Sequence, residues 1–179
     1  SNLNIKSGYI YIDATNGDGL DSNGNITISG GTVIVNGPSL QPEVGVDCNG
    51  TFKIDGGTVI VSGIYSNMID IPSSTSSQCS VLIIFSASQT AGKIVHIEDS
   101  SGKSLLTFAP VRNYQSVIFS SPSLEKGNSY SVYSGGSATG NVTDGLYRNE
   151  TYSEGNVYQT FTINSFLTTV GKSSSNPRP

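Results

Sequence analysis

Apolar and polar residues alternate along this chain in short runs cut by Gly, Asn and Asp, and one such stretch is written twice. Gly19–Gly37 and Gly45–Gly63 agree at 12 of 19 positions, at an offset of 26 residues. Upstream, Gly8-Tyr-Ile-Tyr-Ile12 aligns with Gly31-Thr-Val-Ile-Val35 at an offset of 23. Downstream, Asp70 follows Gly63 at the spacing by which Asp21 follows Ala14, which places Asp21, Asp47 and Asp70 on one column. A repeat of this length, with no helix former between its copies, cannot bury an apolar face alone and must stack on its neighbour. Residues 1–72 are therefore predicted to be all-β, as rungs of a short right-handed parallel β-helix.

Alternation along each strand assigns the faces. Ile10 and Ile12 are expected beneath Val33 and Val35, and these beneath Val59 and Val61. Ile26 and Ile28 fall beneath Phe52 and Ile54, and Leu20 near Val46 and Ile69. The same alternation turns Tyr11, Ile34 and Ile60 outwards in register. Three apolar side chains in a row form a strip rather than scattered surface residues, so cover by the second half of the chain or by a partner is predicted.

Pro72 to Gln78 is rich in Ser and Thr, and residues 73–79 read as a linker. Beyond it no repeat is visible. Residues 80–171 read as a small antiparallel β-sandwich-like module, with strands expected at Ser80–Phe85, Lys93–Glu98, Ser104–Phe108, Gln115–Phe119, Ser129–Tyr133 and Tyr158–Ile163. Residues 172–179 read as a disordered tail. The first rung has no visible cap, and an open strand edge invites pairing. The expectation is that the parent protein continues upstream of Ser1, or that this edge self-associates.

Composition narrows the function. Nine Lys and Arg against thirteen Asp and Glu give a net charge of −4, with no basic stripe, which speaks against a nucleic-acid partner. No apolar run is long enough to insert in a membrane as a helix. The polar, low-charge, Trp-free composition is that of extracellular or cell-surface bacterial β-proteins, and two cysteines are too few for a disulfide scaffold.

The Asp21, Asp47 and Asp70 column is the strongest chemical signal. Stacked rungs lie about 4.8 Å apart, so ionised carboxylates on one column repel unless a cation lies between them. Ca²⁺ takes six to eight oxygens, and Asn16, Asp18, Asn23 and Asn49 are near enough in sequence to join the three Asp. The competing reading is that these Asp and Asn only form turns between strands. Asn16-Gly-Asp-Gly-Leu-Asp21 also has the look of an EF-hand loop, but Ala14 stands where an acidic ligand is expected and a strand follows.

Catalysis has a single candidate base, Lys53 on a rung strand, in the manner of calcium-dependent polysaccharide lyases. His96 is the only histidine, on a strand read as exposed, which argues against His-ligated zinc and a His-dependent triad. Cys48 alternates inwards and is expected as a buried thiol rather than a bridge to Cys79. Tyr147, Tyr152 and Tyr158, in a stretch read as loops, are expected to pack rather than to stack on sugars.

Several longer motifs are familiar. They are Gly17-Asp-Gly-Leu-Asp-Ser-Asn-Gly-Asn-Ile-Thr, Gly30-Gly-Thr-Val-Ile-Val-Asn-Gly-Pro, Ile97-Glu-Asp-Ser, Tyr114-Gln-Ser-Val-Ile-Phe-Ser-Ser-Pro and Tyr133-Ser-Gly-Gly. Together with Gln78 and Ser80-Val-Leu, they resemble a family of secreted bacterial carbohydrate-binding domains over nearly the whole chain. The resemblance implies a right-handed parallel β-helix similar to polysaccharide lyases, bound calcium, and non-catalytic binding of plant cell-wall polysaccharides, acidic ones included. Cys48 and Cys79 depart from its pattern, and Asp70 stands where Gln is frequent. A calcium-dependent lyase and an adhesin or assembly segment are the alternatives.

Overall fold

The computed structural model describes residues 1–153 and 155–171. The tail expected at 172–179 lies outside them. The chain is all-β, with fifteen strands and no helix among the described residues. The first half holds β1 (Leu3–Ile5), β2 (Tyr9–Asp13), β3 (Leu20–Ser22), β4 (Ile26–Asn36), β5 (Val46–Cys48) and β6 (Phe52–Gly63). The second half holds β7 (Ser80–Gln89), β8 (Val95–Asp99), β9 (Ser104–Phe108), β10 (Tyr114–Ser120), β11 (Ser129–Ser134), β12 (Ser137–Thr143), β13 (Leu146–Ser153), β14 (Asn156–Thr162) and β15 (Leu167–Gly171).

Every pairing within the first half is parallel, and the registers follow the sequence repeat. Leu3 pairs with Ile26 and Ile26 with Phe52. Ile10 pairs with Val33 and Val33 with Val59, while Leu20 pairs with Val46. The long strands β4 and β6 turn a corner at their Gly-Gly pairs. Gly31 and Gly57 have φ of 85° and 88°, and a Cβ on Gly57 would lie 2.6 Å from the carbonyl oxygen of Gly31. Repeated glycine is thus demanded both by the left-handed backbone and by the closeness of the stacked corners.

Parallel stacking ends at β6. Against its second part runs β10, antiparallel, with Ile118 opposite Val61. β10 also pairs with β7, and β7 with β15, so one seven-stranded sheet is shared by both halves of the chain. Along the first part of β6 lies the Ser-rich segment read as a linker. Ser73 N–H donates to Phe52 O at 2.7 Å and Gln78 N–H to Ile54 O at 3.2 Å, while Ser76 Oγ accepts the Ile54 N–H. Its serines serve as edge partners for a strand that would otherwise expose unpaired backbone groups.

The shared sheet is buried on both faces, which is why β7 carries the unbroken run Val81–Phe85. Leu82, Ile84 and Ile118 join Val33, Val35, Val59, Val61, Ile26 and Phe52 in the inner core. Val81, Ile83, Phe85, Val117 and Phe119 face the other way, onto Val95, Ile97, Leu106 and Phe108 of the six-stranded sheet β12-β13-β9-β8-β11-β14. Ile34 and Ile60 belong to this second core and are fully buried, with Tyr11 packed at its margin. The outward apolar strip is therefore covered by the second half of the chain.

Three local readings differ from expectation. The stretch from Asp144 to Tyr158 read as loops holds β13 and the start of β14, and β13 forms a hairpin with β12. Its two-residue turn, Asp144-Gly145, has φ of 52° and 81°, the positive values that tight hairpins require. β15 adds a parallel edge strand that the weak run Leu167–Gly171 did not announce. His96 is buried, because β8 is central in its sheet and Tyr133 and Tyr152 cover the face opposite Ile97.

Candidate functional site

On the shortest stack, β3 beside β5, Leu20, Ser22, Val46 and Cys48 turn inwards and are buried. Asp21 and Asp47, the residues between them, are register partners on the outer face. The pairing extends upstream, with Gly19 N–H donating to Val44 O and Leu20 N–H to Gly45 O. Asp18 Oδ1 accepts the Val44 N–H at 2.6 Å, which ties the preceding loops together. Glu43 is thereby brought beside Asp18. The charge of Asp18 first, and more weakly those of Asp47 and Asp21, push the Glu43 carboxyl above its usual range. Four carboxylates thus share one face of the stack.

Glu43 was absent from the candidate set. It aligns with Gly17 at the offset of 26, one step from Asp18, so the repeat itself carried the signal.

The other candidates are more scattered. Asn49 Nδ2 donates to Asn23 Oδ1 at 3.5 Å, joining the next residues along the same two rungs. Asn16 lines a groove of about 520 Å³ with Ser39, Leu40, Gln41, Glu43 and Arg112, at the edge of the acidic face. Asp70 requires a correction. Its N–H donates to Val46 O, so its backbone continues the stack, but the residue is buried and its carboxylate accepts the Cys48 N–H. It caps an edge strand instead of standing in the outward column.

The donor set on the acidic face is hard oxygen, the chemistry that suits Ca²⁺. Among the described residues, however, no three His, Cys, Asp or Glu side chains converge in a metal-binding group. Asp21, Asp47, Asp18 and Glu43 match the ion in ligand type, and they would have to close on it.

Lys53, the candidate base, has its Nζ 3.3 Å from Asp55 Oδ2. Cys48 and Cys79 are free and buried. Burial first, and then the charge of Asp70, push the Cys48 thiol up to about 11. Tyr158 OH donates to Ile84 O at 2.6 Å and Tyr152 OH to Gly135 O at 2.9 Å, so both are packing residues. Tyr147 instead lines a groove.

A second polar cluster lies in the six-stranded sheet. His96 Nδ1 is 2.8 Å from Thr107 Oγ1, and its Nε2 is 3.5 Å from Glu98 Oε2. The order carboxylate, imidazole, hydroxyl is that of a nucleophilic triad. Thr107, however, is buried and donates its proton to Glu150 Oε1 at 2.9 Å, so the hydroxyl is a structural link. Burial lowers the His96 pKa, against the opposing pull of Glu98 and Glu150.

No protein family, curated protein or solved structure matches this chain.

Proposed function

We propose that the chain is a non-catalytic polysaccharide-binding module of a secreted or cell-surface protein, built as a short right-handed parallel β-helix flanked by an antiparallel module, with calcium on its acidic face. The parallel registers at offsets of 23 and 26 support the β-helical reading. The observation that carries the cation is the in-register pair Asp21 and Asp47, joined by Asp18 and Glu43. These four carboxylates would hold the ion. A bound Ca²⁺ supplies charge neutralisation and, where its coordination is incomplete, a bridge to the carboxylates of an acidic sugar.

Binding is favoured over lyase chemistry because Lys53 is engaged by Asp55 and, among the described residues, no second basic residue stands on a rung strand. Self-association is the second reading. It is supported by β1 and β2, each of which pairs with β4 on one side only among the described residues.

The experiment is a glycan array probed with and without Ca²⁺, paired with thermal melting with and without chelator. Calcium-dependent retention of plant polysaccharides and a lower melting temperature in chelator are expected. An unchanged melting temperature would remove the ion from the proposal, and an array blank in both conditions would remove the sugar. Release of a near-ultraviolet-absorbing unsaturated product from polygalacturonate would reassign the protein as a lyase. Light scattering that grew with concentration would favour assembly.

A further inference from the structure

Asn149 and Glu150 are consecutive in β13, yet both line one groove. Strict alternation would send one of them to the opposite face of the sheet. The exception arises from a bulge. Thr139 pairs with Thr151 and Asn141 with Arg148, so Asn149 and Glu150 together face the single residue Gly140. Asn149 takes a left-handed φ of 51° and Gly140 a φ of 129°. A Cβ on Gly140 would meet Arg148 O and Glu150 Cα at 2.9 Å, so this bulge requires glycine. Bulges re-aim side chains, and left-handed non-glycine backbone concentrates at functional positions.

The groove measures about 340 Å³ and is bounded across from β13 by Thr58 of β6 and by Ser121. It lies where the six-stranded sheet meets the parallel stack. Its volume falls at the lower end of the range for small-molecule sites, about 300–1,000 Å³.

Glu150 is held in place from below. Ser104 Oγ donates to its Oε1 at 2.5 Å and Thr107 Oγ1 at 2.9 Å. Thr107 is in turn fixed by His96. Burial raises the Glu150 carboxyl, but the Ser104 hydroxyl, Glu150's own backbone N–H and the Thr107 hydroxyl outweigh it and keep the group below its usual range. A fixed carboxylate beside an amide offers adjacent planar groups for neighbouring hydroxyls. Tyr147 completes the wall with an aromatic ring.

We infer that this groove is a saccharide-binding cleft, in which Asn149 and Glu150 receive adjacent hydroxyls of a sugar ring. The inference rests on the polysaccharide reading and assigns it a site away from the acidic face.

The test is affinity electrophoresis of the whole chain in gels containing hydroxyethyl cellulose or polygalacturonate. The variants are Asn149→Gly, which suits the left-handed backbone, and Glu150→Gln, which keeps the shape of the side chain. Glu43→Gln serves as the comparison on the acidic face. Asn149→Gly is expected to weaken retardation about tenfold in whichever gel retards the parent chain, the loss of one well-placed hydrogen bond. Glu150→Gln is expected to weaken it as well, and circular dichroism should show both variants folded. Loss on Glu43→Gln with neither groove variant affected would move the site to the acidic face, overturning the cleft while leaving the sugar reading intact. Equal retardation of all variants would also overturn the cleft. A parent chain retarded in neither gel would remove the sugar reading and the cleft with it.

Discussion

His96 and Tyr152 lie face to face, their ring centroids 3.9 Å apart and their planes 17° from parallel. The contact joins β8 to β13 across the intervening β9. Because the Thr107 hydroxyl donates to Glu150, its oxygen receives the Nδ1–H of His96. On the other side of the ring stand Glu98 and Tyr133, whose hydroxyl donates to Glu98 Oε1 at 2.6 Å. Burial brings the imidazole below its ordinary 6.5 despite Glu98 and Glu150, so the fold favours the neutral ring.

Stability from this source is complete above 6.5, where the unfolded chain is also neutral. It is lost as pH falls from there through the lower folded value, because the unfolded chain then binds the extra proton. The melting temperature is expected to fall between pH 7 and pH 5.5, and His96→Phe, which keeps the stack, should flatten that dependence. At pH 7 the variant should lose about 1 kcal/mol for the missing hydrogen bond. An identical pH slope in both proteins would show that His96 does not titrate with folding.

Ile60 is fully buried against the second half of the chain. Ile60→Ala is therefore expected to cost about 2–5 kcal/mol, the penalty for a large-to-small change in a packed core. Tyr11→Ala, at the margin of the same cluster, should cost markedly less. Denaturant midpoints measure both, and a cost under about 1 kcal/mol at Ile60 would mean that the strip is not packed.

The parallel half was legible because its period is written in the residues. Once Gly19–Gly37 lies over Gly45–Gly63, the registers Val33 to Val59 and Asp21 to Asp47 follow. The cover on Ile34 and Ile60 could be inferred from alternation alone. The hairpin at 137–153 could not, because both its strands are largely polar and it forms the end of its sheet, where no continuous apolar face is demanded. Its one clear signal was Asp144-Gly145, the dipeptide of tight hairpin turns. Asp70 was misplaced because an alignment locates a backbone position and not a side-chain direction. The burial of His96 depended on β13 lying over β8, and with β13 unread the covering ring of Tyr152 was invisible.

Glycine at the stacked corners should be far less replaceable than glycine in open turns. Gly57 and Gly102 both have positive φ, 88° and 82°. A Cβ at Gly57 meets the Gly31 carbonyl at 2.6 Å, whereas at Gly102 it meets nothing within 4 Å. Gly102→Ala should therefore cost only the backbone strain, about 1–2 kcal/mol. Gly57→Ala adds a clash with backbone that is itself stacked and cannot retreat, so a larger loss is expected. Equal midpoints for the two variants in urea would show that the corners are not in contact.

Glu43 offers a test with opposite signs in two conditions. Without calcium, its carboxyl is crowded by the charge of Asp18 and then by those of Asp47 and Asp21, so Glu43→Gln removes repulsion and should raise the melting temperature slightly at pH 7. With calcium, the same substitution removes a ligand, and the rise that the ion gives the parent chain should shrink. Asp47→Asn should behave alike, because Asp47 is the register partner of Asp21. Asp70→Asn should not, since its carboxylate serves the Cys48 N–H, and it should instead lower the melting temperature equally in both conditions. Calorimetric scans in chelator and in millimolar Ca²⁺ separate these outcomes. If Glu43→Gln and Asp47→Asn retain the full calcium increment, the ion is bound elsewhere.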